Sequence, residues 1–351
     1  MGAGGELDRG PSANTIAVSA VVLAGDVGGT HARLALFEGH EREPTALEIY
    51  PSADHAGLPE IVEEFRAAHP GEVAAASFGV AGPVDRGRTE AMNLAWPVDA
   101  RELAETLKLD DRAVAVINDL EANAWGIATL RPDDLAPLNE AEGERGGNLA
   151  LISAGTGLGE AFVTHRERGQ DIHASEGGHA DFAPSDELES ELRAWLARDG
   201  AHVSYERVCS GMGILNIHSF LRQRSTEPEP EWLARERERD GGAAITRAGL
   251  EQRDGVASQA LDLMVSIYGA EAGNLALTVI ATGGVYVGGG IAPKILPRLQ
   301  QGGFMRAFTD KGRLAELLER IPVWVILNEL TALLGAARHA ASRRASIAPS
   351  A

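Results

Sequence analysis

Only one cysteine occurs in the 351 residues, Cys209. No disulfide can form within the chain, which fits a reducing compartment and sets the expectation of a cytoplasmic protein. A cysteine-ligated structural zinc site is excluded for the same reason. Basic residues are scarce: 32 Lys and Arg stand against 51 Asp and Glu, a formal net charge of −19. Nucleic acid and anionic membranes need a basic face, so neither is expected as a partner. No run of 18 apolar residues occurs, so no helical membrane span is predicted. The Walker A motif with its lysine is missing, and so is the glycine spacing of a dinucleotide fingerprint. The acidic balance does not exclude a nucleotide, because a phosphate site uses a few local donors.

Glycine is what the chain has in excess, 41 residues, many of them in short clusters. Such clusters mark tight turns and places where backbone must approach a ligand closely. The length suggests about two domains, at roughly 100–200 residues each. Residues 1–18 read as a disordered leader, without the basic start and apolar stretch of a signal peptide. Residues 21–37 read as a β-hairpin turning at Gly28-Gly29-Thr30. A helix is predicted over 58–68, with Pro59 in its first turn and Leu58, Ile61, Val62 and Phe65 on one face. A strand over 72–80 and a helix opened by Asp99 and Glu102 come next.

A buried strand over 114–117 delivers Asn118-Asp119 to a helix over 120–130. Strands over 148–154 and 159–165 flank Gly155-Thr156-Gly157, and Ser185 is placed to cap a helix. Residues 224–255 are highly charged and read as an exposed excursion with one short helix. A long helix over 256–277, strands over 278–287 and 323–328, and a helix over 330–343 close the chain. The alternation favours an α/β architecture with partly parallel sheets. The Pro-, Asp-, Glu- and Gly-rich stretch 131–147 is the candidate crossing between two lobes.

Five constellations could carry chemistry. In Gly25-Asp26-Val27-Gly28-Gly29-Thr30 a strand delivers an acid to a turn whose bare N–H groups can cradle phosphate, and the acid can hold Mg²⁺ directly or through water. A plain hairpin turn explains it equally well. Gly155-Thr156-Gly157 offers a second such turn. Asp119 at a strand's carboxyl end is placed to take a proton from a substrate hydroxyl, or simply to cap the helix it precedes. Glu176-Gly177-Gly178-His179 aims an acid and an imidazole from one tight loop, a chemistry suited to sugar hydroxyls. Glu206 reads as an ordinary first-turn acid. Gly288-Gly289-Gly290 lets backbone pack against a flat ring or a phosphate.

Taken together and in this order, these motifs closely resemble the bacterial glucokinases of the hexokinase/actin-like ATPase superfamily. The matching stretches are GDVGGTHARLALF from Gly25, INDLEANAWGI from Ile117, SAGTGLG from Ser153, SEGGHADFAPSDELE from Ser175, YERVCSGMGILN from Tyr205, AGNLALTVIATGGVYVGGGIAP from Ala272 and LLGAARH from Leu333. The resemblance implies a two-domain ribonuclease-H-like fold with a cleft between the lobes. The smaller lobe would hold residues 19–129 plus 328–345, and the larger 130–327. It implies transfer of the γ-phosphoryl group of ATP to the 6-hydroxyl of glucose, with another hexose or a non-catalytic sugar sensor as alternatives. Asp26, Val27, Gly28, Gly29, Thr30, Gly155, Thr156, Gly157, Gly288, Gly289 and Gly290 would hold ATP, with Asp26 near Mg²⁺. Asn118, Asp119, Glu176, His179, Glu206 and Asn93 would bind the sugar, and Asp119 would be the catalytic base. A homodimer is implied as well. His31 stands where the family usually has Asn. The Cys-rich zinc motif of the related regulator-and-kinase family is missing, so no structural zinc is expected.

Overall fold

Val21–Val27 and His31–Glu38 pair antiparallel, as the hairpin pattern predicts, and the chain reverses between them at Gly28–Thr30. The computed structural model describes residues 20–39, 41–90, 94, 96–167, 169–198 and 200–347, so the 1–18 leader lies outside it. Ala46–Pro51 adds an antiparallel edge strand, while Ala75–Val80 and Val114–Asn118 join in parallel on the other side. All six residues of Ala75–Val80 are buried, as a parallel strand covered on both faces requires. Helices Leu58–Ala68 and Ala100–Leu107 cover one face through Ile61, Val62, Phe65 and Leu103. The C-terminal helix Thr331–Ile347 covers the other, setting Leu333, Leu334, Ala336 and Ala340 on Val22, Ala24, Ala35 and Phe37.

A second sheet repeats this plan. Leu149–Ala154, Leu158–Arg166 and Gly169–Ser175 form an antiparallel meander, and Gly284–Gly288 and Val323–Ile326 continue it in parallel. Leu135–Pro137 adds a further antiparallel edge strand. In both sheets a glycine turn joins the first two strands, so Gly28–Thr30 and Gly155–Gly157 occupy equivalent places. The second core is organised by the 25-residue helix Gly255–Val279, capped where Asp254 accepts from the Ala257 N–H at 2.7 Å. Its Tyr268 is fully buried, and the hydroxyl accepts from the Ala154 N–H at 3.1 Å, at the strand end that enters the second glycine turn.

Two small residues bring helices unusually close. A Cβ on Gly335 would overlap the Ala122 carbonyl, and one on Gly126 would overlap the Thr331 carbonyl. The C-terminal helix therefore lies directly against helix Asp119–Ile127. His339 adds a tie at the same helix, its Nδ1 lying 2.9 Å from Ser77 Oγ on strand Ala75–Val80.

Several expectations need correction. Residues 224–255 are not an exposed excursion with one helix. They hold two, Glu231–Asp240 and Gly242–Leu250, and Leu233, Ala244, Ile245 and Ala248 are fully buried. The charge count masked a few apolar residues that suffice to dock both helices. No strand begins at 278: the long helix runs to Val279, Ile280 turns the backbone at φ 51°, and the strand is only Gly284–Gly288. Asp186, not Ser185, caps helix Glu187–Leu196, while the Ser185 hydroxyl donates to Glu189 at 2.8 Å. Strands Ala46–Pro51, Leu135–Pro137 and Gly169–Ser175 went unread, because half-exposed edge strands carry many polar residues and show little alternation.

A methyl group at the helix crossing must push the helices apart. Gly335→Ala is expected to destabilise the protein by about 1–3 kcal/mol, the usual cost of overpacking, and to lower activity through the displaced Asp119 helix. Thermal unfolding alongside turnover checks this.

Candidate active site

The register of the first sheet places Val27, Val80 and Asn118 side by side at one edge. Three parallel strands thus end together, where α/β sheets gather their ligands. Asn118 is the N-cap of the following helix: its Oδ1 accepts from the Leu120 N–H at 2.8 Å and the Glu121 N–H at 3.2 Å. Its amide donates to the Gly82 carbonyl at 3.0 Å. The cap expected of Asp119 is therefore supplied by its neighbour. Asp119 becomes the first helical residue, and its Oδ1 accepts from the Leu120 N–H at 2.9 Å.

Burial pushes the Asp119 carboxyl up to about 6, against the pull of the Leu120 N–H, and the charges of Asp26 and Glu176 push the same way. Asp26 comes from the first sheet and Glu176 from the second. The charge on Asp119 is thus felt from both sheets. Asp26 is itself raised by burial and held down by Arg33, its cross-strand partner, at 3.7 Å. The strand register alone brings Arg33 to the acid that enters the first glycine turn.

That first turn is braced from behind. The Gly28 N–H donates to the His31 carbonyl at 2.9 Å, the Ser52 hydroxyl donates to the Gly28 carbonyl at 2.8 Å, and the Ser52 N–H donates to the Thr30 carbonyl at 2.9 Å. Gly29 and Thr30 are left exposed at the tip. Val27 is 1% exposed and belongs to the core, so only its main chain faces the turn. The His31 ring is exposed, and the turn uses its carbonyl, so the departure from Asn alters no contact within the turn.

The second turn is closed by the Gly155 N–H donating to the Gly157 carbonyl at 2.8 Å, and the Gly211 N–H donates to the Gly155 carbonyl at 2.8 Å. Glu206 sits against it. Its Oε2 accepts from the Leu158 N–H at 3.0 Å and fills the space a Cβ on Gly157 would need. The same oxygen lies 4.0 Å from His179 Nε2, and Glu176 Oε2 lies 3.9 Å from that nitrogen. Glu176, His179 and Glu206 thus surround one point without closing on one another. The side chains of Glu176 and His179 are 61% and 54% exposed, open to an incoming polyol.

Gly288–Gly290 lies beside the second turn. Gly289 has φ 81°, and a Cβ there would overlap the Ala154 carbonyl. Gly289 and Gly290 are exposed, and nothing stands within 4 Å of where a Gly290 side chain would begin, which leaves room for a flat ring. Asn93 lies outside the described residues. Recesses of about 440 Å³ beside Trp195 and Phe220, and of about 580 Å³ beside Trp125 and Arg338, are lined by none of these groups.

The glucokinase family model matches residues 23–343. The chain belongs to the glucokinase family. It is 42% identical over 339 residues to a glucokinase of Nostoc punctiforme, covering 92% of this chain and 99% of that one. A Synechocystis glucokinase is 41% identical over 343 residues, covering 90% and 96%. Among solved structures, the glucokinase of an Antarctic psychrotroph superposes with a TM-score of 0.79 at 26% identity, over 92% of this chain and 99% of that one. A glucokinase of Streptomyces griseus, in complex with glucose and AMPPNP, has a TM-score of 0.62 at 22% identity, over 90% and 98%. The fold is the two-domain hexokinase/actin-like ATPase fold, and the chain is an ATP-dependent hexose kinase. Among the described residues, no helix is long and apolar enough to cross a membrane.

Asp119 holds its charge at a cost to the fold. Its carboxyl titrates near the usual 3.8 when unfolded and near 6 when folded, so the folded state binds more protons in between. Its contribution therefore becomes destabilising as pH rises through this window and stays so above it. Asp119→Asn is expected to raise Tm by about a few degrees at neutral pH and to leave it unchanged near pH 4. Melting curves at the two pH values decide.

Proposed function

We propose that Asp119 is the general base in transfer of the γ-phosphoryl group of ATP to the 6-hydroxyl of glucose, giving glucose 6-phosphate and ADP. The observation that carries this is the placement of Asp119 at the carboxyl end of strand Val114–Asn118, as the first residue of its helix, with burial raising its carboxyl to about 6. A base works best when its pKa lies near the working pH, so that it is ionised yet still a willing proton acceptor. Family membership supplies the reaction, and the geometry supports the division of roles.

On the nucleotide side, the Gly28 and Gly155 N–H groups close their own turns, so the N–H groups of Gly29, Thr30, Thr156 and Gly157 take the phosphate oxygens, and Gly288–Gly290 lies against the adenosine. On the sugar side, Glu176, His179 and Glu206 pair with hydroxyls. Asn118 orients Asp119 through its cap and leaves one amide hydrogen for the sugar. Asn93 joins this set by the family pattern alone. As the lobes 19–129 with 328–345 and 130–327 close, water leaves and the 6-hydroxyl is held in line with the γ-phosphorus. Its proton passes to Asp119 as the new P–O bond forms and the bond to ADP breaks.

The residues present fit a magnesium ion. Asp26 is desolvated beside the phosphate turn with Arg33 as its cation, and a second acid, Asp119, acts on the same space. Among the described residues no three His, Cys, Asp or Glu side chains gather into a cage. Phosphate oxygens and water would therefore complete its shell around Asp26, which is how Mg²⁺ is usually held. When bound there it neutralises charge on the phosphates. We further propose a cytoplasmic homodimer, from the reducing composition and the family pattern.

ADP release with Mg-ATP over a panel of hexoses tests the proposal. Turnover is expected on glucose, reduced about 10²–10⁴-fold in Asp119→Ala. In the wild type, kcat/KM is expected to fall as pH drops through about 6, where the base is protonated. An active Asp119→Ala enzyme would overturn the assignment, and turnover confined to another hexose would move the substrate. Glu176→Ala is expected to raise the glucose KM about tenfold, the cost of an unpaired hydroxyl, and to spare the ATP KM. Glu206→Ala should raise both, because its carboxylate also takes the Leu158 N–H beside the second phosphate turn.

A further inference from the structure

Behind the sugar-side loop lies a polar group that the chemistry above leaves idle. Glu160, on strand Leu158–Arg166, is 3% exposed. Its Oε2 fills the space a Cβ on Gly177 would need, so the carboxyl bears directly on the backbone of the Gly177–His179 turn. Its Oε1 is buried and meets no donor. Glu271 of the long helix, 6% exposed, is near enough that, after burial, its carboxyl is the main influence raising Glu160. Two carboxylates offer only acceptors, so this pairing needs a proton on one of them.

Glu271 is tied to the neighbouring turn as well. Asn274 Nδ2 donates to Glu271 Oε2 at 2.8 Å and to the Tyr205 hydroxyl at 3.0 Å, and the Tyr205 hydroxyl in turn bonds to Glu271. Tyr205 is adjacent to Glu206 in the turn Tyr205–Arg207. One buried group therefore touches both short turns that carry Glu176, His179 and Glu206.

We propose that Glu160 and Glu271 share a single proton and act as positioning residues, holding the Gly177–His179 and Tyr205–Arg207 turns at the spacing that binds the sugar. The proposal rests on the reading of Glu176, His179 and Glu206 as the sugar side of the site. Burial raises both carboxyls, Glu160 the more strongly, so the shared proton belongs to Glu160, with Lys311 helping Glu271 to stay charged. The other titratable groups facing the pair are Tyr205, Cys209 and Tyr268, all pushed up by burial, with Glu189 and Asp310 beyond Lys311. Burial and the Glu271 charge raise Glu160, so the proton is held at neutral pH and lost in the alkaline range. Two adjacent charges then repel, and the turn resting on Glu160 loses its support.

The test is the pH dependence of the glucose KM in the full chain, from about pH 6.5 to pH 9, with the ATP KM measured in parallel. In the wild type the glucose KM is expected to rise about tenfold at the alkaline end while the ATP KM stays within about twofold. Glu160→Gln donates to Glu271 without a titrating proton. Its glucose KM should stay within about threefold of wild type at pH 7 and lack the alkaline rise. Glu160→Ala should raise the glucose KM already at pH 7, and if it fails to fold, the Glu160→Gln profile decides alone. A flat wild-type profile, or an alkaline rise that persists in Glu160→Gln, overturns the proposal. Glu176→Ala run alongside separates the two levels. If it leaves the glucose KM unchanged, the sugar-side reading falls and the proposal with it. If it raises the glucose KM while the Glu160 variants behave as wild type, only the proton-sharing support falls.

Discussion

A half-buried carboxylate within the field of two other acids is costly to keep ionised, and Asp119 is in that position. The neighbouring structure fixes where that carboxylate sits. Asn118 caps the helix so that Asp119 begins it, and the Gly82 carbonyl holds Asn118 in turn. Glycines at 126 and 335 let the C-terminal helix press against the same element at backbone distance. The result is a carboxylate held by a capped helix end and by close helix packing, which is what preorganisation demands of the base proposed for Asp119.

The repeated sheet plan explains why two equivalent glycine turns exist. Each meander reverses once between its first two strands, and each reversal is a glycine turn. The two are braced differently. Ser52 holds the first through its hydroxyl and its N–H, while Glu206 holds the second through a carboxylate. Tyr268 then joins the second turn's strand to the long helix, with the hydroxyl near the Ile152 and Gly288 carbonyls at 3.3 and 3.4 Å. The two glycine turns are thus tied to the core at several points, whereas Glu176 and His179 project into solvent.

Much of this was legible in the sequence because local rules and global fold agree. The helix Leu58–Ala68 has Pro in its first turn and one apolar face, and it stands where that pattern puts it. The glycine turns at 28–30 and 155–157 were readable because two strong strand signals flank each. The fold class followed from the alternation, and the family from motifs in order. Other features depend on partners distant in sequence. Nothing near Glu160 announces that Glu271, 111 positions later, will face it, and a buried acid looks like any surface acid in one dimension. Arg33 acquires its role only through the register that sets it opposite Asp26. The helices at 231–250 were hidden because four buried apolar side chains outweigh a run of charge once a surface exists to receive them.

Glu206 belongs to both halves of the cleft at once. One oxygen accepts from the Leu158 N–H beside the second phosphate turn and stands 4.0 Å from the imidazole of His179. Any ligand that draws this carboxylate toward one side alters the hydrogen bond on the other. On the proposed assignment of the two sides, Glu206 is the group through which their occupancies would be coupled, and such coupling is reciprocal. Whatever factor nucleotide then applies to sugar affinity, sugar must apply to nucleotide affinity, with one carboxylate as the shared element.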